Sequence, residues 1–502
     1  GLGHSSNSAN SYRKPFNGGL SQGGTGAPPA YSGSGQIVSF ELDTDNGTLK
    51  CYVNNTWYYT TTDLPRIGGL NVNQNCPDYL HFMVLRTNDG ASPAGSDWGE
   101  VWANFGQNPT FTGNKTKGTY TDANGEGLFF YPPPVGCKAL CTRNLPEPTV
   151  PVPNKAFIAK VYSGTSTNRK VTIGFKPDLI WLKPTDKDDF WLHWNSVSGP
   201  GAALYGNGTN AEWTSSSNTH QIKGFDKNGW TIGGSWNNVN DNSYDYISYN
   251  WKAGGNDDYF NYNDVGYRTK EEFKVKTGID IGRTDRITIL GCSIGTKYGL
   301  SIIRFTGSAG NADLTHGLGA EPWFILIKRA SSAGNSWAVY HKYVGSGKQL
   351  LLNSDNGVSN DSNGFDAQPD TDVVHLGSGA QMASNQSGTN VMYAWSQIEG
   401  FSRFAFYYGN GNGDGPFLYC GFRPAMVIVK RADGTSGKWV LWDTTRDPDS
   451  NVNLEMNLDA SDKEYTSGGN TISISGTGFK ITSSNARTNT SGAYYIFCAW
   501  AE

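Results

Sequence analysis

Three times between residues 155 and 502 the chain repeats one run: glycine, two variable residues, proline, then an apolar strand ending in lysine. The copies are Gly174-Phe175-Lys176-Pro177 before Asp178-Leu179-Ile180-Trp181-Leu182-Lys183, Gly319-Ala320-Glu321-Pro322 before Trp323-Phe324-Ile325-Leu326-Ile327-Lys328, and Gly421-Phe422-Arg423-Pro424 before Ala425-Met426-Val427-Ile428-Val429-Lys430. Proline fixes φ and lacks an N–H, so it suits the first position of a strand and not its middle. The apolar run is nearly continuous rather than alternating, which predicts a strand covered on both faces, as at the centre of a sandwich. The lysine is expected to return the chain to water.

Four further elements recur in the same order. An opening strand ends on an aromatic followed by x-Gly (Tyr162-Ser163-Gly164, Phe305-Thr306-Gly307, Tyr407-Tyr408-Gly409). After the lysine comes a Trp-x-x-aromatic strand (Trp191 with Trp194, Trp337 with Tyr340, Trp439 with Trp442). A Gly-Phe pair follows (Gly224-Phe225, Gly364-Phe365, Gly478-Phe479), and each unit closes on an aromatic strand (Tyr246–Trp251, Val391–Trp395, Tyr494–Trp500). Units of roughly 100 residues with turns every 8–12 residues have the size and rhythm of β-sandwiches. Three sandwiches in a row are expected.

Composition agrees. The 64 glycines, 13% aromatics and only 17% charged residues describe strands and turns, where roughly 25% charge is ordinary. The strongest helix signal is a turn or two at Thr269–Phe273. The fold class is all-β, tandem β-sandwiches of concanavalin-like or jelly-roll type. A formal charge of −4 offers no basic stripe for nucleic acid, and no apolar run reaches the roughly 18 residues of a membrane span. Seven cysteines, an odd number, with Cys292, Cys420 and Cys498 in apolar strands, predict a chain without disulfides.

The first 150 residues differ. Ile37–Asp43, a turn at Asp45-Asn46-Gly47, and Leu49–Val53 running to Asn54-Asn55 read as a hairpin, and Asn104-Phe105-Gly106-Gln107 comes later. Pro133-Pro134-Val135-Gly136 and Asn144-Leu145-Pro146-Glu147-Pro148 lead into a stiff, proline-rich linker. Together these elements resemble a SPRY domain, a concanavalin-like sandwich, in the version found in bacteriophage tail-fibre and structural proteins. The resemblance starts partway in, implying that opening strands precede Gly1. The repeats resemble the modules that follow such domains in tail proteins of marine phages and cyanophages, closest at Gly174–Leu179 and Trp251-Lys252-Ala253-Gly254-Gly255. Expected boundaries are 1–144 for the partial SPRY-like domain, 145–154 for the linker, and 155–255, 256–400 (with a preceding insertion) and 401–502 for the repeats. Within the insertion, Asp257–Asp264 reads as loop and Arg286–Gly291 as a strand.

Gly291-Cys292-Ser293-Ile294-Gly295 fits the Gly-x-Ser-x-Gly pattern of a nucleophile elbow, but that device needs a helix next. The residues that follow read as a second strand, so a hairpin is expected. Ser359–Gly364 is an incomplete calcium loop without its closing glutamate, and the seven histidines lack zinc spacing. No cofactor or metal is expected. Trp181, Trp251, Trp395 and Trp500 read as core. Trp191, His193, Trp194, Trp213, Trp230 and Trp236 lie in a polar stretch, where aromatic faces beside amides and hydroxyls suit sugar binding. They are the candidate glycan contacts, and the loops after each Trp-x-x-aromatic strand are where the copies differ.

The resemblance implies a phage virion structural protein, located on the particle exterior as a tail fibre or appendage that recognises host-surface glycan and catalyses nothing. It implies other virion proteins as partners, a homotrimer, and no insertion into a membrane. Two alternatives are a capsid-decorating or tail structural protein without receptor binding, and a polysaccharide depolymerase.

Overall fold

The computed structural model describes residues 37–43, 48–61, most of 104–144, and 147–502 apart from 215–221, 235–237, 283–285, 361–363, 378–384, 436 and 467–468. The chain divides into two compact units, Gly1–Pro146 and Glu147–Glu502. In the first, Val38–Asp43, Thr48–Val53 and Thr56–Thr61 form an antiparallel sheet. Asn54 and Asn55 turn the second hairpin with φ of 46° and 66°, the left-handed pair a two-residue hairpin requires. The expected turn at Asp45-Asn46-Gly47 and Phe105 of the Asn104–Gln107 element lie outside the described residues. Asn144 of the exit motif donates to the Asp122 carboxylate and to the Ala139 carbonyl. Asp122 also accepts the amides of Ala139, Asn124 and Glu126, which hold its pKa down to about 2.

The second unit is all-β and carries the three repeats. Each repeat lays the same antiparallel run into a large sheet: opening strand, closing strand, Gly-x-x-Pro strand, Trp-x-x-aromatic strand, then short strands. In the second repeat Thr288–Gly295, Phe260–Tyr262 and Val265–Tyr267 extend the sheet beyond the opening strand. In the first repeat these begin Phe157–Ser163, Asp245–Trp251, Leu179–Pro184 and Leu192–Asn195. In the second they begin Leu300–Gly307, Gly388–Ser396, Pro322–Arg329 and Ala338–His341. The third runs Ser402–Tyr408, Tyr494–Ala501, Pro424–Arg431 and Trp439–Asp443. A smaller sheet covers one face of each, completing a sandwich.

The other face explains the continuous apolar runs. Along Leu179–Leu182, Ile180 and Leu182 point into the first sandwich, whereas Leu179 and Trp181 join a core shared by all three repeats. Phe324 and Leu326 join that shared core in the second repeat, with Ile325 and Ile327 facing their own sandwich. At its centre the last tryptophans of the closing strands meet: Trp251 and Trp395 lie 6.1 Å apart, Trp251 and Trp500 5.7 Å, and Trp395 and Trp500 5.9 Å between ring centroids. The expected row of sandwiches is instead a closed triangle with one centre.

Two elements are corrected. The Gly-Phe pairs are not equivalent: Gly478-Phe479 pairs with Tyr419 and Leu418, and its counterpart in the first repeat is Gly229-Trp230, paired with Thr172 and Val171. A Cβ at either glycine would fall 2.0–2.1 Å from the neighbouring strand's carbonyl oxygen. Gly224-Phe225 sits one strand earlier. The stretch read as loop in the insertion contains Phe260–Tyr262, which forms a hairpin with Val265–Tyr267 and pairs parallel to Thr288–Gly295. Asn263 and Asp264 turn that hairpin at φ of 50° and 69°. The helix grows to Lys270–Thr277, capped by Thr269 accepting the Glu272 amide and closed by Gly278 at φ 76°.

The x-Gly after each opening strand also has a cause. Asn240, Asn385 and Asn489 are buried and accept the backbone amides of Thr165, Ser308 and Asn410. The loops that carry them press so closely that a Cβ on Gly164, Gly307 or Gly409 would lie 1.9–2.2 Å from a carbonyl oxygen. Trp395→Ala should remove a shared contact of all three repeats and cost about 3–5 kcal/mol, with one cooperative transition retained. Urea unfolding followed by tryptophan fluorescence checks this; early loss of the second repeat alone would contradict a shared core.

Candidate functional site

The expected outward turn of the strand-ending lysines is also corrected: Lys183, Lys328 and Lys430 are fully buried. Each ammonium donates to a carbonyl of its own repeat and to one of a neighbour. Lys183 reaches Asp189 and, at 2.8 Å, Ser461. Lys328 reaches Asn335 and, at 3.1 Å, Gly208. Lys430 reaches Gly437 and, at 3.1 Å, Asp355. The leading Trp of each Trp-x-x-aromatic strand crosses in the same sense: Trp191 Nε1 donates to Asn457, Trp337 to Tyr205 and Trp439 to Leu351, at 2.8, 2.8 and 2.9 Å. First repeat to third, third to second, second to first: the contacts close a ring.

Ring closure accounts for most of the sequence-predicted site. Trp191, His193, Trp194 and Trp230 are at most 1% exposed, so no face of theirs is open to a sugar. Trp194 and Trp230 fill the first sandwich. His193 stacks on Trp181 at 4.6 Å, and burial pushes its pKa down to about 3, leaving it neutral. Of the polar neighbours that suggested a wet surface, Asn195 is itself buried in the strand Leu192–Asn195. Trp213 is half-buried at the sheet edge, opposite Ala203, and Trp236 lies outside the described residues. Residues 361–363 of the calcium-like loop lie outside them too.

The serine of the Gly-x-Ser-x-Gly pattern is committed elsewhere. Ser293 lies inside the strand Thr288–Gly295, fully buried. It donates to Asp178 at 2.9 Å and accepts the Gly254 amide. Asp178 also accepts from Ser196 and from the amides of Ala253 and Gly255, so both residues anchor the tail of the first repeat. Among the described residues no group of three or more His, Cys, Asp or Glu is placed to hold a metal. The described cysteines are unbridged, and no described helix is long and apolar enough to cross a membrane.

Sequence reading missed the seams, where equivalent positions diverge. Strand register aligns Glu212, Val358 and Glu464, each immediately before a short edge strand. Between the first and second repeats, Glu212 takes Arg304 in a bidentate pair at 2.7 and 2.8 Å, and Arg304 also donates to Ser198. Beside the third–first seam, buried Arg446 bridges Asp443 and Glu464 of its own repeat at 2.5 and 3.1 Å, and Tyr249 of the first repeat donates across the seam to the same Asp443 oxygen. Beside that bridge lies a depression of about 210 Å³, lined by Val161, Thr185, Asp245, Thr445, Arg446 and Glu464.

The second–third seam is different. The positions of Glu464, Asp245, Thr445, Arg446 and Thr185 are taken by Val358, Tyr494, Tyr343, Val344 and Ala432, lining an open groove of about 450 Å³. Phe406 stands where Val161 does and packs on Tyr343 at 4.7 Å and on Tyr494 at 5.3 Å. Trp323 and Tyr408 extend the belt at either end. Tyr494 donates its hydroxyl across the seam to the Tyr343 carbonyl at 2.7 Å. The rim carries Lys348 bonded to Asn360 at 2.6 Å, and Asp433 held by Arg431 in a fork at 2.9 Å.

A family model described as a domain of unknown function, DUF7483, matches residues 152–263 and 277–502. It thus spans all three repeats, and the interval between its segments holds the Val265–Tyr267 strand and most of the helix. No curated protein and no solved structure matches the chain.

Burial pushes the Lys328 ammonium from 10.5 down to about 8. A lysine with its folded pKa below its unfolded one binds fewer protons when folded across that interval, so stability rises with pH from about 8 to about 10.5. Tyr249 and Tyr393 are pushed upward by burial, so their contribution is lost above the unfolded phenol value, roughly 10. Denaturant unfolding should show greater stability at pH 9.5 than at 7.5. Lys328→Met should lower stability at pH 7.5 by about 1–3 kcal/mol, because two carbonyls lose their donor, and should flatten that rise. An unchanged pH profile in the variant would remove Lys328 from the account.

Proposed function

We propose that the chain, which belongs to the DUF7483 family, is a phage virion structural protein: part of a tail fibre or similar appendage whose exterior recognises host-surface glycan. The observation that carries this reading is the ring. Three sandwiches locked by buried tryptophans and lysine bonds make a rigid body, and the constraints on its interior leave its outer seams free to diverge. That is the combination an appendage needs: stiffness to hold position, and surfaces that change without loss of fold. The resemblance of the N-terminal residues to phage SPRY-like domains and of the repeats to phage tail modules supports the same reading. Recognition by weak contacts would gain strength from several copies per particle.

The ring also bears on the expected trimer. Contacts that three chains of one repeat each would make are made here within one chain, so surfaces outside these seams would assemble a homotrimer. Residues 147–502 expressed alone should scatter light as a monomer; a trimer would place assembly contacts in the ring itself.

Immunogold labelling against residues 147–502 tests the location, with label expected on tails or appendages of intact particles. Uniform capsid label would favour the decorating role. Shortening of host polysaccharide on incubation with the protein would favour a depolymerase.

A further inference from the structure

The three seams are built from equivalent positions, so each serves as an internal control for the others. A position that only has to close the ring can be filled in several ways. Two seams put an arginine on the glutamate at this position: Arg304 reaches Glu212 from the neighbouring repeat, and Arg446 reaches Glu464 from within its own. The third has no charge there. Val358 replaces the glutamate, and the rings of Trp323, Tyr343, Phe406, Tyr494 and Tyr408 run in contact along the seam. Simple closure would have buried these rings. Instead Tyr343, Phe406 and Tyr494 are only half-buried, Tyr408 is 47% exposed, and the groove beside them is about twice the volume of its counterpart.

We infer that this groove between the second and third repeats binds a pyranose oligosaccharide, with the tyrosine faces under the sugar rings. The inference rests on the glycan-recognition reading above and names its site. The chemistry selects the ligand. An aromatic face covers the axial C–H face of a pyranose, while planar polar groups bond its equatorial hydroxyls. Both are present, since Lys348, Asn360 and Asp433 rim the groove. These rim groups are already oriented, Lys348 by Asn360 and Asp433 by the Arg431 fork, so little ordering is needed on binding. The Tyr494–Tyr343 hydrogen bond fixes one ring across the seam. A volume near 450 Å³ lies within the roughly 300–1,000 Å³ of small-ligand sites, enough for one or two sugar units of a longer chain. Tyr343 belongs to the loop after a Trp-x-x-aromatic strand, the part of each repeat that varies, and Lys348 opens the strand that follows that loop.

The test is a microarray of neutral and acidic pyranose oligosaccharides probed with the full chain, followed by calorimetric titration of the best hit. Tyr343→Ala and the exposed rim change Asn360→Ala should each weaken binding at least tenfold. Thr445→Ala, at the place of Tyr343 on another seam, should leave it unchanged. Asn360 lies outside the core, so its effect does not depend on the folding of the Tyr343 variant. Binding that survives both changes would overturn the groove while leaving glycan recognition standing. Failure of the unaltered chain to bind any oligosaccharide would overturn both.

Discussion

The buried lysine at the end of each Gly-x-x-Pro strand is the interaction on which the architecture depends. A cationic amine out of water is costly unless its protons are matched, and each of these has carbonyls from two repeats as acceptors. The neighbour's carbonyl is in place only when the ring is closed. A single repeat taken alone would leave the ammonium short of a partner and half of each large sheet's apolar surface in water. The lysine bonds therefore make closure a requirement of folding. The tryptophan triangle supplies the burial that drives it, and the lysines and Trp191, Trp337 and Trp439 fix its sense of rotation.

Much of the fold was legible because it rests on local rules. The turn prolines, the apolar runs and the aromatic closing strands marked every central strand of the large sheets. The continuous apolar run was read correctly as covered on both faces, but periodicity cannot say what covers each face. One cover is the repeat's own small sheet and the other is the neighbouring repeats. The same gap explains the lysines: a charged residue after an apolar run normally marks a return to solvent, and only tertiary contacts reveal Asp189, Asn335 and Gly437 folding back as acceptors.

The candidate site was less legible for the same reason. Trp191 and Trp194 looked wet because of Asn195, Ser196 and Ser198 beside them in sequence, yet Asn195 is buried and donates across a seam to Tyr393. The aromatic belt was invisible because its members come from two repeats, with Tyr343 and Phe406 63 positions apart. Chain order held one usable signal, the variability of the loops after the Trp-x-x-aromatic strands. Comparing the misaligned Gly-Phe pairs would have misled, since only strand register shows that Gly229, not Gly224, corresponds to Gly478.

Threefold repetition within one chain removes an ambiguity that usually attends reading function from one structure. In a lone domain, an aromatic cluster can always be assigned to stability. Here the same backbone position is filled three times, by Glu212, Val358 and Glu464, and the two glutamates show what stability alone asks of it. An arginine–glutamate pair, crossing the seam as Arg304 with Glu212 or lying along it as Arg446 with Glu464, brings small net gain, because desolvation offsets most of its attraction, but it fills the space. The second–third seam forgoes that filling and keeps its rings at the surface, where half-buried aromatics leave part of their burial energy unused. Tyr494 spends its hydroxyl on holding ring geometry across the seam. An arrangement that gives up burial while fixing the orientation of its exposed faces is better suited to meeting a ligand than to closing a ring.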